Sequence, residues 1–146
     1  HVGGTLAMVD ADTQIWLGAG GAVALQRLFG DKLLQPLTQV SAATVLSLGD
    51  RQVAVWPLHS SHAQDMLVAA DVTSGTVFQG DLFYLPEVGP IPPAFPLTDE
   101  LLRVLHTEFP TWQRMIGVHG RTATPADVQT SLQLRATQTK TKSAAL

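Results

Sequence analysis

The sequence contains no cysteine, so disulfide bonds and thiolate metal ligands are excluded. No apolar run approaches the roughly 20 residues that a helix needs to cross a bilayer. Charged residues make up only 14% of the chain, and its formal net charge is −3. Because the main body has no cluster of lysine and arginine, binding of nucleic acid through a basic face is disfavoured.

Hydrophobic residues, by contrast, make up 45% of the 146 residues, which is the composition of one globular domain with a core. The chain begins with His1 rather than Met, so we expect further residues before it in the protein. For the same reason, the lack of a signal peptide carries no information on localisation. The sequence does not indicate an oligomeric state.

The hydrophobic pattern predicts an α/β fold. A short strand at 14–17 and a helix at 22–29 come first. Four short β-rich runs follow, and their turn signals predict a mostly antiparallel sheet; these runs are 44–48, 52–56, 66–70 and 76–78. We expect Pro57 to end the second run, because proline cannot donate a hydrogen bond to a strand ladder.

The last third of the chain predicts two helices around a strand. Thr98 is a good N-cap followed by two acidic residues, so a helix is expected from there to about Phe109. A strand is predicted at 114–118, and Pro125 is placed at the first position of the final helix.

From Arg135 the composition becomes low in complexity, rich in Thr, Lys, Ala and Ser. We expect residues 1–134 to form a single, incomplete domain and residues 135–146 to form a flexible tail. Residues 87–96 hold four of the nine prolines and are either the wall of a substrate pocket or a stiff surface linker.

Three candidate metal ligands stand where predicted strands meet loops. His62 lies in a polar loop before a strand, Asp81 follows Gly80 at a strand end, and His119 follows a short apolar run. Together with His1, they suggest one metal centre assembled from distant segments. Taken singly, each also fits a structural role, such as an aspartate that caps a loop.

The order of these residues resembles the metallo-β-lactamase-fold hydrolases. That family carries an HxHxDH motif running into two glycines, then a histidine followed three positions later by an aspartate. A Gly-Asp at a strand end and a late His-Gly complete the series. The corresponding segments here are His1-Val2-Gly3-Gly4, His62 with Asp65, Gly80-Asp81 and His119-Gly120. The resemblance extends to about Val128 and implies the C-terminal portion of such a protein, beginning at the last histidine of HxHxDH.

The resemblance implies a fold, a metal pair and a reaction. The fold is a four-layer αβ/βα sandwich, mostly antiparallel, with flanking helices. By the family's pattern, His62 belongs to the first metal ion, and His1, Asp81 and His119 belong to the second, with Asp81 bridging both. Nitrogen and carboxylate ligands suit two Zn²⁺ ions, with Fe or Mn as alternatives. The metal pair would activate a hydroxide that attacks an ester, thioester, lactone, amide or phosphoester.

Other polar residues near these segments have competing interpretations. His59 precedes His62 by three positions and is the second choice for the same ligand. We expect His59 and Asp65 to contact the ligands rather than the metal. His106 is interpreted as an exposed histidine on a helix.

The upstream part of the HxHxDH motif is absent, so this chain by itself is expected to be a weak or inactive hydrolase of small-molecule substrates. Two alternatives share the same fold: a non-catalytic binding or structural protein, and an iron-dependent oxidoreductase or dioxygenase. The identity of the bound metal separates the last of these from a zinc hydrolase.

Overall fold

The computed structural model describes residues 7, 10, 12–33 and 36–144. The first elements are strand β1 (Ile15–Leu17), helix α1 (Gly21–Phe29), a short 3₁₀ helix (Gly30–Lys32) and strand β2 (Leu37–Gln39). β1 and β2 pair in parallel. The strand β1 and the helix α1 are confirmed. β2 was missed because its three residues become a strand only through pairing with a distant segment.

A five-stranded mixed sheet forms the centre of the domain. Its strands, in their spatial order, are β3 (Thr44–Leu48), β4 (Arg51–Leu58), β5 (Met66–Asp71), β6 (Thr76–Phe78) and β7 (Arg114–Ile116). The first four pair antiparallel, as predicted, and β7 then pairs in parallel with β6. The predicted α/β fold with a mostly antiparallel sheet is therefore confirmed.

The prediction that Pro57 ends β4 is wrong, because Pro57 pairs with Leu67 inside the β4–β5 ladder. The bond from the Val72 N–H to the Gln52 carbonyl shows that even-numbered residues of β4 exchange the hydrogen bonds with β5. The backbone nitrogen of Pro57 therefore faces away from β5. On that side the pairing with β3 has already ended at Val55, so no ladder bond is lost.

Two helices follow, α2 (Leu97–Glu108) and α3 (Pro125–Ala144). Thr98 was predicted to be the N-cap of α2. This prediction is wrong, because Pro96 holds that position. The Thr98 side chain is instead fully buried, and its hydroxyl donates to the Leu82 carbonyl at 2.9 Å. A long-range partner has thus replaced the local capping bond that the sequence suggested.

Helix α3 begins as predicted, with Pro125 in its first position. The Thr124 N–H donates to the Asp127 carboxylate at 2.8 Å, and the Asp127 N–H donates back to the Thr124 hydroxyl at 3.2 Å. The Thr124 N–H and, after it, the Thr124 hydroxyl at 2.7 Å donate to the Asp127 carboxylate and lower the pKa of Asp127. In the described residues, no helix is long and apolar enough to span a membrane.

Helix α3 continues beyond Arg135, where a flexible tail was expected, and reaches Ala144. The Arg135 guanidinium donates to the Phe95 carbonyl at 2.8 Å and to the Asp99 carboxylate at 2.6 Å. Threonine hydroxyls in this helix donate to carbonyls four residues earlier, as Thr137 does to Gln133. In this arrangement the hydroxyls bond within the helix that contains them rather than to a competing turn. The flexibility of 135–146 stays a prediction.

The main core lies between the five-stranded sheet and helices α2 and α3. It joins buried side chains of the strands, of the helices and of the loop after β6; these include Trp56, Val68, Val77, Leu82, Phe83, Leu85, Leu101, Leu105, Met115 and Val128. Trp56 also contacts Phe109, with ring centroids 5.9 Å apart. The loop after β6 is thus anchored in the core by Leu82, Phe83 and Leu85.

Gly120, directly after His119, lies where another residue cannot fit. Its φ is +80°, and a β-carbon there would overlap the Leu85 carbonyl oxygen. Gly49 has a similar φ of +64° but has nothing within 4 Å of the β-carbon position. Substitution of Gly49 by alanine therefore measures the cost of the backbone conformation alone. The same substitution at Gly120 adds the cost of the close approach to Leu85.

We expect Gly120→Ala to lower the free energy of unfolding by at least about 3 kcal/mol, and Gly49→Ala to lower it by only about 1 kcal/mol. Urea denaturation followed by circular dichroism measures both. Equal losses in the two variants would show that the approach of Leu85 to Gly120 costs nothing.

Candidate metal centre

Strand pairing brings the three candidate ligands to one edge of the sheet. In the parallel pair of β6 and β7, Phe78 lies opposite Ile116, and Asp81 and His119 each come three residues later. Strand β5 runs antiparallel to β6, so its N-terminal end lies at the same edge. His62 lies in the loop that enters β5. The register of three strands therefore explains why residues so distant in sequence meet.

The structure places both histidines against the Asp81 carboxylate. His62 Nε2 lies 3.7 Å from Asp81 Oδ2, and His119 Nε2 lies 3.8 Å from Asp81 Oδ1. Two atoms that bind one Zn²⁺ at about 2.0–2.2 Å lie roughly 3–4 Å apart. The side chains of His62, Asp81 and His119 are 45%, 29% and 60% exposed, so a solute can reach them.

Each histidine approaches a different oxygen of Asp81. Within the described residues, no group of three or more His, Cys, Asp or Glu side chains is arranged to hold one ion. The two observations agree if the carboxylate is shared between two ion positions, each with one histidine from this part of the chain. His1 lies outside the described residues, so its role as a ligand stays a prediction.

His59 and Asp65 have their own surroundings. His59 Nδ1 lies 2.8 Å from the Gln64 carbonyl, which makes this nitrogen the donor of that bond. The Asp65 carboxylate lies against Gly20 at the start of α1, where a β-carbon would overlap it. Both residues line a small cavity of about 130 Å³ beside the β1–α1 connection. Their expected contact with the metal ligands stays a prediction.

Gln79 holds the loop that carries Asp81, and the sequence analysis missed it. Its side chain is buried, accepts from the N–H groups of Leu82 at 2.9 Å and Phe83 at 3.3 Å, and donates to the Phe83 carbonyl at 2.8 Å. The Gln79 N–H donates to the Ile116 carbonyl at 3.0 Å, which ties the loop to β7. A polar residue after a strand is common, and only its burial reveals this role.

The loop that carries His62 is held by serines and by a distant glutamate. The His62 N–H donates to the Ser60 hydroxyl at 3.1 Å. The Ser61 N–H and hydroxyl donate to the two carboxylate oxygens of Glu100 in α2, at 3.1 Å and 2.7 Å. Hydrogen bonds from Ser60 and Ser61 lower the pKa of Glu100, so its carboxylate is ionised at neutral pH.

An open cavity of about 470 Å³ lies beside Asp81 and His119. Aromatic side chains from the segment after β6 form one wall of it, namely Phe83, Tyr84 and Phe95. Phe95 is 48% exposed and Tyr84 is 38% exposed, so both rings are accessible to a molecule in the cavity. Among the lining residues in the described part of the chain, there is no lysine or arginine.

Solved structures resemble this fold, although no protein-family model and no curated protein matches the sequence. The rubredoxin oxygen:oxidoreductase of Desulfovibrio gigas is 17% identical, with a TM-score of 0.69 over 92% of this chain and 40% of that one. A metallo-β-lactamase from Pontibacter korlensis is 17% identical, with a TM-score of 0.52 over 80% of this chain and 63% of that one.

An archaeal metallo-β-lactamase superfamily protein from Sulfolobus tokodaii is 13% identical, with a TM-score of 0.57 over 82% of this chain and 57% of that one. The chain therefore spans less than two thirds of each of these three proteins. At identities of 13% to 17%, the likeness shows a shared backbone fold and nothing further. The chain has the metallo-β-lactamase fold, as its motifs implied.

Proposed function

We propose that this chain is part of a metal-dependent hydrolase and supplies His62, Asp81 and His119 to a dinuclear metal centre. The observation that carries the proposal is the Asp81 carboxylate with one histidine nitrogen beside each oxygen, at 3.7 Å and 3.8 Å. A carboxylate can bind two ions through its two oxygens, which a single histidine nitrogen cannot do.

The donor atoms fit the metals that the motifs implied. Imidazole nitrogen and carboxylate oxygen suit Zn²⁺, and Fe or Mn also accept such ligands. In the part of the chain that the structure describes, however, each ion would have one histidine and one carboxylate oxygen. We propose His1 as a further ligand of the ion beside His119. Because a catalytic zinc usually has three protein ligands, the ion beside His62, with only two, should be bound weakly by this chain, whereas the ion beside His119 would have three.

A bound metal pair would polarise the substrate's carbonyl or phosphoryl oxygen and lower the pKa of a water molecule. The chain's own residues then have separate tasks. Gln79 fixes the loop of Asp81 through three hydrogen bonds. Phe83, Tyr84 and Phe95 present an apolar wall that can orient a substrate and keep water away from it.

The residues that line the cavity disfavour a phosphoester as the substrate. A phosphoester carries negative charge and is usually bound by arginine or lysine. The described residues that line the cavity offer neither, and they present three aromatic rings. We therefore propose an uncharged carboxylic ester, thioester, lactone or amide with an aryl or alkyl group that packs on Tyr84 and Phe95.

A second candidate is an iron-dependent oxidoreductase of the same fold. The observation in its favour is that the backbone overlaps more extensively with the rubredoxin oxygen:oxidoreductase than with the two metallo-β-lactamase proteins. A non-catalytic binding or structural role is the third possibility, since the described residues supply only part of a metal centre.

Substitution of the proposed ligands should weaken metal binding. We expect His62→Ala, His119→Ala and Asp81→Asn each to reduce Zn²⁺ affinity by more than about tenfold, because losses of 10–100-fold follow even from removal of groups that only support ligands. Titration calorimetry measures the affinity. The control is His106→Ala, which removes an exposed histidine from α2. Zinc binding that is lost equally in the control would contradict the assignment.

Turnover distinguishes the candidate reactions. We expect the zinc-loaded chain to hydrolyse p-nitrophenyl butyrate weakly, faster than the metal-free chain, and Asp81→Asn to remove this difference. The iron-loaded chain with an added reductant should not consume oxygen faster than the metal-free chain. The reverse result would favour the oxidoreductase. Metal binding without either activity would favour a non-catalytic role.

The aromatic wall predicts a preference among substrates. We expect Phe95→Ala to lower kcat/KM for an aryl ester by about tenfold, because loss of about 1.4 kcal/mol of apolar contact corresponds to that factor. Methyl acetate, which lacks a large apolar group, should be affected much less. The matched control is Val88→Ala, since Val88 is 89% exposed in the same segment and does not line the cavity. An equal effect on both esters would contradict the proposed substrate class.

A further inference from the structure

The first turn of helix α2 contacts both loops that carry the proposed ligands. The Thr98 hydroxyl donates to the carbonyl of Leu82, the residue after Asp81, at 2.9 Å. Glu100 accepts two hydrogen bonds from Ser61, the residue before His62, at 2.7 Å and 3.1 Å. One short, rigid piece of helix is therefore bonded to the neighbours of both residues.

Several other hydrogen bonds of these loops lie within one loop, whereas the bond from the Gln79 N–H to the Ile116 carbonyl ties the Asp81 loop to β7. Gln79 bonds to Leu82 and Phe83, which are three and four residues away. The Ser60 N–H donates to the Ala63 carbonyl at 3.2 Å, and thus closes the other loop on itself. Such bonds shape each loop but do not set the distance between the two. The bonds to α2 do connect the two loops through one helix. Thr98 lies 16 residues from Leu82, and Glu100 lies 39 residues from Ser61.

Helix α2 is held firmly in the core, and its bonds to the loop of His62 are strong. Thr98, Leu101 and Leu105 are almost fully buried, so the helix cannot shift without disturbing the core. Glu100 lies in the first turn, where a negative charge is stabilised by the helix dipole. Hydrogen bonds to an ionised carboxylate are also stronger than those between neutral groups.

We propose that Glu100, together with Thr98, is a positioning residue that sets the separation of 3.7 Å between His62 Nε2 and Asp81 Oδ2. Its effect on metal binding rests on the proposed function; its effect on the loop of His62 does not. A metal centre needs ligand atoms held within about 0.5 Å of the productive geometry, and surrounding hydrogen bonds provide that constraint.

Asp99 provides a matched control on the same turn. Its carboxylate pairs with Arg135 of α3 at 2.6 Å and so holds two helices together, away from the loop of His62. Asp99→Asn therefore removes a charge of the same sign from the same helix turn without touching the bonds to Ser61. Glu100→Gln keeps the size of the side chain and one acceptor oxygen, whereas Glu100→Ala removes both acceptors.

The experiment measures hydrogen exchange of the Ser61 amide, nitrogen-15 relaxation of the His62 ring and Zn²⁺ affinity in the full chain. We expect Glu100→Ala to speed exchange at Ser61 at least about tenfold, to increase motion of the His62 ring and to weaken zinc binding about 10–100-fold. Glu100→Gln should give intermediate values. Asp99→Asn should change none of the three, even if it lowers the melting temperature.

Two results would overturn the proposal. One is that Glu100→Ala leaves the Ser61 amide and the His62 ring as they are in the unsubstituted chain. The other is that Asp99→Asn and Glu100→Ala change all three readouts in proportion to their loss of stability, since that is the behaviour of a purely structural residue.

A failure of the proposed function gives a different pattern. If the unsubstituted chain binds no zinc, the metal assignment fails, but the Ser61 and His62 measurements still test the contact with Glu100. As a further check on the second loop, Thr98→Val should mobilise the Asp81 loop, because it leaves the buried Leu82 carbonyl without its hydroxyl donor. Thr98→Ser keeps that donor and should preserve the loop.

Discussion

The parallel pairing of β6 (Thr76–Phe78) with β7 (Arg114–Ile116) is the interaction on which the candidate site depends. It places Phe78 opposite Ile116. Asp81 and His119, the proposed ligands, each come three residues after one of these two residues and therefore leave the sheet side by side. A shift of one residue would turn one strand's side chains to the other face. The connection between β6 and β7 includes the aromatic wall and α2, which therefore lie next to the site by topology.

Beyond this register, the site is held by hydrogen bonds, buried at Gln79 and Thr98 and exposed at Glu100, rather than by apolar packing of the proposed ligands. Gln79 secures the loop of Asp81, and the first turn of α2 reaches that loop and the loop of His62. The ligands can consequently stay exposed while the backbone that carries them is fixed. This division is typical of functional sites, in which accessible side chains stand on a rigid framework.

The described residues would supply only part of the proposed metal centre. Two histidines lie beside one carboxylate, and as proposed ligands the described residues would not complete the ligand set of either ion. An aromatic cavity adjoins them on one side. The chain spans 40% and 63% of two solved proteins with a similar fold.

The sequence by itself determined most of the elements, because periodic apolar runs, the Gly49-Asp50 turn and Pro125 are local signals that the tertiary structure does not override. The order of the motifs also predicted that His62, Asp81 and His119 share one site; the structure places the two histidines beside Asp81, and their role as ligands stays a prediction. Local reasoning erred at Pro57, at Thr98 and at the missing β2, where a distant partner decides the outcome.

Only the tertiary structure decided the contacts that join segments far apart. Whether Gln79, Thr98 and Glu100 face solvent or hold a loop depends on burial and on partners up to 39 residues away. No pattern along the chain encodes those partners, because a glutamine after a strand or a glutamate in a first helical turn is commonly exposed to solvent. The sequence thus determined which groups are present, and the strand register and helix α2 decided which of them meet.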